Sequence, residues 1–172
     1  MSQIKVNSIV PQAGLPTGAS GGIVQVKSTT KTDTFTTTST SYTDITGLSV
    51  EITPVQSSAK ILLLCSADYG NDGNQSCRIS IFNGSTNLFG SAVSNRLRGW
   101  QLYVWGDTNT SEQFDFQHVD SPSYTLGDTI TYKLRMALQG STGTINRSGS
   151  DADNSTYGYR SASSITAMEL SV

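Results

Sequence analysis

TITYKLRMALQ, residues 129–139, decides the fold class of this chain. Ile130, Tyr132, Leu134, Met136 and Leu138 take every second position, with Thr131, Lys133 and Arg135 between them. A period of two puts the apolar set on one face of an extended strand and the polar set on the other. Residues 48–53 repeat the pattern, with Leu48, Val50 and Ile52 against Ser49, Glu51 and Thr53. Phe114 and Phe116 alternate with Asp115 and Gln117 in the same way. Strands of this kind belong to antiparallel sheets with one buried and one solvated face.

Outward from these anchors, strands are expected at 23–28, 32–38, 48–53, 60–68, 77–83, 96–105, 112–119, 129–139, 143–146 and 165–171. Clusters of Gly, Asn, Asp and Ser separate them at short intervals. The strand at 60–68 differs, because Ile61, Leu62, Leu63 and Leu64 are consecutive. An apolar run of that length fits a strand covered on both faces. No segment sustains a 3.6-residue apolar stripe, so helix is not expected. Many short strands of this kind predict an all-β, antiparallel two-sheet sandwich of jelly-roll type over residues 23–172. Residues 1–22 read as an extended N-terminal arm: Ile4, Val6, Ile9, Val10 and Leu15 keep no period, and Pro11, Gly14, Pro16, Gly18, Gly21 and Gly22 interrupt the backbone. An arm that cannot bury its own aliphatic residues reads as an anchor docking on another chain.

Ser and Thr fill 48 of the 172 positions, and only 14% of residues are charged. The extreme case is residues 29–46, TTKTDTFTTTSTSYTDIT. Low complexity warns of disorder, but Thr is β-branched and favours strands, and Phe35 and Tyr42 anchor the stretch. It reads as an edge strand and a turn. The net charge of −2 with scattered Lys and Arg offers no footprint for a nucleic-acid backbone. No apolar run approaches the ~18 residues of a membrane-spanning helix. The opening MSQIKVNSIV lacks a basic region followed by an apolar stretch, so no secretory signal is expected.

Candidate chemistry is sparse. Cys65 and Cys77 flank a turn without facing each other in a hairpin centred near Asp72, and are expected as buried free thiols. Two thiols alone do not complete a structural zinc site. His118, the single histidine, shares a face with Phe114 and Phe116, or meets Asp120 at the strand end. The oxygen-rich loops 68–74 and 151–154 lack the spacing of a calcium-binding loop and read as tight turns. Five Asn-x-Ser/Thr triplets, at Asn74, Asn83, Asn109, Asn146 and Asn154, are unremarkable in so hydroxyl-rich a chain. Three Glu, none paired with an Asp, give no carboxylate couple for glycoside cleavage. No enzyme, cofactor or metal site is expected. The aromatic group Trp100, Tyr103, Trp105, Tyr157 and Tyr159, with Arg96, Arg98 and Arg160 near it in sequence, is different. Along 96–105 both faces carry large apolar side chains, and the face that does not line the core is left for a neighbouring subunit or a stacked sugar ring.

The segments Ile4-Lys5-Val6-Asn7-Ser8-Ile9-Val10-Pro11, Gly21-Gly22-Ile23-Val24-Gln25-Val26 and Thr32-Asp33-Thr34-Phe35 carry a resemblance, as do Ser41-Tyr42-Thr43-Asp44-Ile45-Thr46-Gly47-Leu48-Ser49-Val50, Lys60-Ile61-Leu62-Leu63 and Ser163-Ser164-Ile165-Thr166-Ala167-Met168-Glu169. With them the chain resembles virion structural proteins of tailed phages that infect cyanobacteria and other marine bacteria. The resemblance implies a virion location, a β-sandwich head, a homo-oligomer with a trimer expected, and attachment to other virion proteins through the N-terminal arm. Two roles follow from it: a tail-fibre or knob component whose loops at 71–75, 105–110 and 150–159 reach a host surface glycan, or a capsid decoration protein that stabilises the head lattice.

Overall fold

The computed structural model describes residues 22–73, 76–91, 94–96, 98–104 and 108–171. Eleven strands and no helix are formed among them. They are β1 (Ile23–Lys31), β2 (Phe35–Thr37), β3 (Thr43–Ile52), β4 (Lys60–Asn71), β5 (Ser76–Asn83), β6 (Thr86–Asn87), β7 (Trp100–Tyr103), β8 (Ser111–Asp120), β9 (Ile130–Leu138), β10 (Gly143–Ile145) and β11 (Ser163–Leu170).

Three pairs of these are single strands with an interruption. β1 and β2 run in one line against β11 and β10, from Ile23 opposite Leu170, through Lys31 opposite Ser163, to Phe35 opposite Ile145. β6 and β7 lie in one line along β5, Asn87 opposite Phe82 and Trp100 opposite Ile79. Counted this way, the first sheet runs β1/β2, β11/β10, β4, β8, and the second runs β3, β9, β5, β6/β7. Every pairing is antiparallel. In chain order the first strand lies beside the last, the second beside the seventh, the third beside the sixth and the fourth beside the fifth. That nested pairing is a jelly roll.

The alternation read from residues 129–139 governs which face each side chain takes. Tyr132, Leu134 and Met136 of β9 are fully buried between the sheets, and Lys133 and Arg135 point outward. Ile61, Leu63 and Tyr69 of β4 meet them from the first sheet, along with Ile165 and Ala167 of β11. Each aliphatic side chain so buried contributes about 1.5–3 kcal/mol. The Thr-rich stretch forms the end of β1, the edge strand β2, a turn, and the start of β3. A register shift between Asp44 and Ser49 passes through Gly47, whose φ of 86° suits a residue without Cβ.

Several expectations needed correction. Among the described residues the strand expected over 96–105 is Trp100–Tyr103, because the described positions between Phe89 and Gly99 lie outside the sheet. The strand expected over 32–38 is only Phe35–Thr37, because the side-chain amide of Asn146 takes the carbonyls of Lys31 and Asp33, each at 2.9 Å, where the ladder breaks. β4 and β5 do not form a hairpin: the turn after Asn71 carries the chain from one sheet to the other. The apolar run of β4 is covered on one side only. Ile61 and Leu63 are fully buried, and Leu62 and Leu64 stand half-buried on the outer face.

Candidate functional surfaces

The strand pairings give the sandwich two unlike ends. At one end the chain enters at Gly22, whose carbonyl accepts a bond from Ser171 N at 2.8 Å. The connections 53–59, 84–85 and 121–129 lie at this end, gathered around two carboxylates. Glu169, fully buried, accepts bonds from Val55 N, Gln56 N and Gln25 Nε2 at 2.6–3.1 Å. Asp120 accepts from the hydroxyl of Tyr132 at 2.8 Å and from Asn83 at 3.4 Å. The Asp120–His118 pairing considered from the sequence is not made. His118 is half-buried and packs edge-on to Phe89, with ring centroids 5.0 Å apart.

The opposite end carries the three stretches expected to face a host, as far as they are described. Asp72 and Thr142 exchange bonds, Asp72 N to the carbonyl at 3.2 Å and Thr142 N to the carboxylate at 2.7 Å. The amide of Thr142 holds the Asp72 carboxyl below its usual value of 3.8. Ser150 ties the excursion between β10 and β11 to the loop before β8, through Thr108 O and Asn109 Oδ1, both at 2.8 Å. Within the excursion, Asn154 Oδ1 accepts from Thr156 N and Tyr157 N at 3.0 and 2.8 Å, and Asp151 pairs with Arg160 at 2.7 Å. An open cleft of about 550 Å³ is lined by Asp151, Asn154, Tyr159 and Arg160, among others. Asp72 and Asp151 in these loops bind the chain's own amide and guanidinium groups. Among the described residues no three His, Cys, Asp or Glu side chains gather as metal ligands.

A polar junction anchors this end from below. Asp68 is buried and accepts from the hydroxyls of Ser111 and Ser161. Its backbone carbonyl accepts from Asn146 N at 3.0 Å, and its amide donates to Ser163 Oγ at 3.0 Å. Ser163 Oγ in turn donates to Asn146 Oδ1 at 2.6 Å. Asn146, read from sequence as one of five glycosylation triplets, is fully buried and committed to this network.

The predicted aromatic group divides. Trp100 packs against Phe116, with centroids 4.4 Å apart, and against Phe89, closing the edge of the sandwich between β7 and β8. Leu102 and Val104, on the same face, are buried. Tyr103 projects the other way and is 38% exposed. Tyr157, 49% exposed, and the half-buried Tyr159 belong to the excursion at the loop-bearing end. Trp105 and the arm residues Ile4, Val6, Ile9, Val10 and Leu15 lie outside the described residues. Cys65 and Cys77 are free and buried, one in each sheet. Burial pushes the Cys65 thiol up to about 12 and that of Cys77 further in the same direction.

The two outer faces contrast in chemistry. On the second sheet Asp44 pairs with Lys133 at 2.9 Å and with Arg135 at 2.5 Å, and Arg135 lies over the ring of Phe82 at 4.4 Å. On the first sheet the register aligns Val26, Met168, Leu62 and Val119 in one row across all four strands. The next row in is Ser28, Thr166, Leu64 and Gln117. An open depression of about 510 Å³ lies there, lined by Leu64, Ser66, Gln117 and Thr166, among others. Sequence reading missed this face as a unit. Its one visible signal was the unbroken run Ile61–Leu64, and Val26, Val119 and Met168 joined it only through cross-strand register. No family model and no curated protein matches this chain.

Proposed function

We propose that this chain is a non-enzymatic structural subunit of a tailed-phage virion. In this reading it is a knob or fibre component that assembles as a homo-oligomer with a trimer expected. Residues 1–22 join it to other virion proteins, and the loops at the far end turn outward toward host surface glycans. The observation that carries the reading is the polarity of the sandwich. The chain enters beside Leu170 and Lys60, and the described parts of 71–75, 105–110 and 150–159 lie at the other end of β4 and β8. Ten paired residues separate the ends, about 30 Å of strand. A subunit tethered at one end presents the other to its surroundings. Tyr157 offers there a flat apolar ring with a hydroxyl, the combination that stacks on sugars. The resemblance of the opening and closing segments to marine phage structural proteins supports the same reading.

Purified particles test it. Mass spectrometry of virions detects the chain, and antibody labelling of intact particles places it on tail or head, the latter favouring lattice decoration. Virions that lack the chain refute the proposal. Adsorption to host cells that weakens with Tyr157→Ala supports glycan contact, and unchanged adsorption argues against it.

A further inference from the structure

The outer face of the β1–β11–β4–β8 sheet has no covering element among the described residues from Lys60 to Ser66 of β4, while beyond them Asp68 and Gly70 are buried beneath the excursion between β10 and β11. The row Val26–Met168–Leu62–Val119, beside the Lys60 end, is apolar across all four strands. Val26 and Val119 are about half exposed. The row beside it contributes Leu64 flanked by hydroxyls and an amide. The other sheet turns Lys133, Arg135 and Asp44 outward, as a permanently solvated face does. We propose that the outer face of the first sheet is where copies of this chain pack on one another. The inference rests on the oligomeric part of the reading above and on none of its virion part.

Three observations favour a second copy as the occupant. The first is size. Four strands about 4.8 Å apart, uncovered over about 20 Å from Lys60 to Ser66, project on the order of 400 Å², and a ridged face exceeds its projection. That approaches the ~600 Å² that the smaller standard interfaces bury on each partner. The second is charge. Lys60 at the start of β4 and Asp115 opposite Ser66 bound the uncovered stretch with opposite signs, so a copy packed antiparallel sets each against its opposite. The third is hydrogen-bonding chemistry. Ser28 and Thr166, 2.8 Å apart, each donate and accept, so a face rich in such groups can satisfy a copy of itself. The shallow depression beside Leu64 gives a neighbour's side chains a seat at the centre.

The full-length chain tests this, by light scattering over a dilution series and by labelling of an introduced thiol. The native Cys65 and Cys77 are buried and stay silent in such labelling. The mass is expected at a multiple of 18.3 kDa, two or greater. Val119→Lys, on a side chain 48% exposed, is expected to leave the melting temperature of the dissociated chain, compared well below the dissociation midpoint, unchanged and to raise that midpoint about tenfold or more. Gln117→Cys should label slowly in the oligomer and rapidly once Val119→Lys dissociates it. Glu51→Cys, on the other sheet's outer face, should label rapidly throughout. A chain that is monomeric at every concentration overturns the proposal. If Gln117→Cys is shielded in that monomer, residues 1–21 cover the face instead. An oligomer indifferent to Val119→Lys, or one that shields Glu51→Cys and leaves Gln117→Cys open, overturns it as well. A self-associating chain absent from virions refutes the virion reading and leaves this inference standing. A virion protein that is monomeric in solution does the reverse.

Discussion

Replacing Asn146 by Ala strikes the junction that holds both interrupted strands of the first sheet in line. The side chain is fully buried, and its amide donates to Lys31 O and Asp33 O while its oxygen accepts from Ser163 Oγ. Truncation leaves those three partners without it in a site closed to water, at about 1 kcal/mol or more each. The backbone adds to the loss. Asn146 sits at φ 64°, a conformation Asn tolerates and Ala adopts at a further cost of about 1 kcal/mol. The sum is about 4 kcal/mol. For a domain of this length that lowers the melting temperature by roughly 8–16 °C. Calorimetry or circular dichroism melts measure it directly. Asn146→Gly removes the same hydrogen bonds and relieves the backbone, so it should recover only about 1 kcal/mol. A loss below about 1 kcal/mol for Ala refutes the reasoning. So does a Gly variant as stable as the parent, because the bonds would then contribute nothing.

Other outcomes follow from the same structure. Neither thiol should react with a disulfide reagent at about pH 8 in the native chain, and both should react after denaturation, because burial raises both above the solvent pH. Rapid labelling of the folded protein would contradict their placement. Asp33, Asp44 and Asp72 are held below 3.8, by Lys31, by Lys133 and by the amide of Thr142 in turn. A lowered folded value gives stability that is present above the unfolded value and is lost as pH falls through the folded one. Melting temperature should therefore hold near neutrality and fall below about pH 4, with a shallower fall in Asp72→Asn. An acid transition unchanged in that variant would remove Asp72 from the account. Gly149→Ala would drive a methyl group into the carbonyl of Asn71, backbone against backbone. It should release the excursion between β10 and β11 to limited proteolysis while the core strands stay protected. An unchanged digestion pattern would refute the close packing of those segments.

How far the sequence could be read depended on the range of each interaction. Alternation along β9 is a property of neighbouring residues, and it gave the strands, the inward faces and the all-β class without any partner in view. The same local logic read the Thr-rich stretch as strand and turn, since β-branching acts within the residue. It failed where a strand is ended by something distant. Residues 32–34 leave the ladder because Asn146, more than a hundred positions away, takes the carbonyls of Lys31 and Asp33. Trp100 was read as interface or glycan contact alongside Tyr103, Trp105, Tyr157 and Tyr159, yet its ring packs on Phe89 and Phe116 at the sandwich edge.

The amino-acid sequence alone determined that this chain is built of half-buried antiparallel strands, because a period of two is written into successive side chains. It also held the oddity of four consecutive apolar residues in β4. Only the tertiary structure decided what that oddity means. Pairing of β4 with β8 and β11 set Leu62 and Leu64 beside Val26, Val119 and Met168 on an outer face, while Asp44, Lys133 and Arg135 cluster on the outer face of the other sheet. Which strands become neighbours depends on register and crossover between segments far apart in the chain. No local pattern encodes those choices, and they separate the end where residue 22 enters from the loop-bearing end, and the face with the apolar row from the face with the Asp44–Lys133–Arg135 cluster.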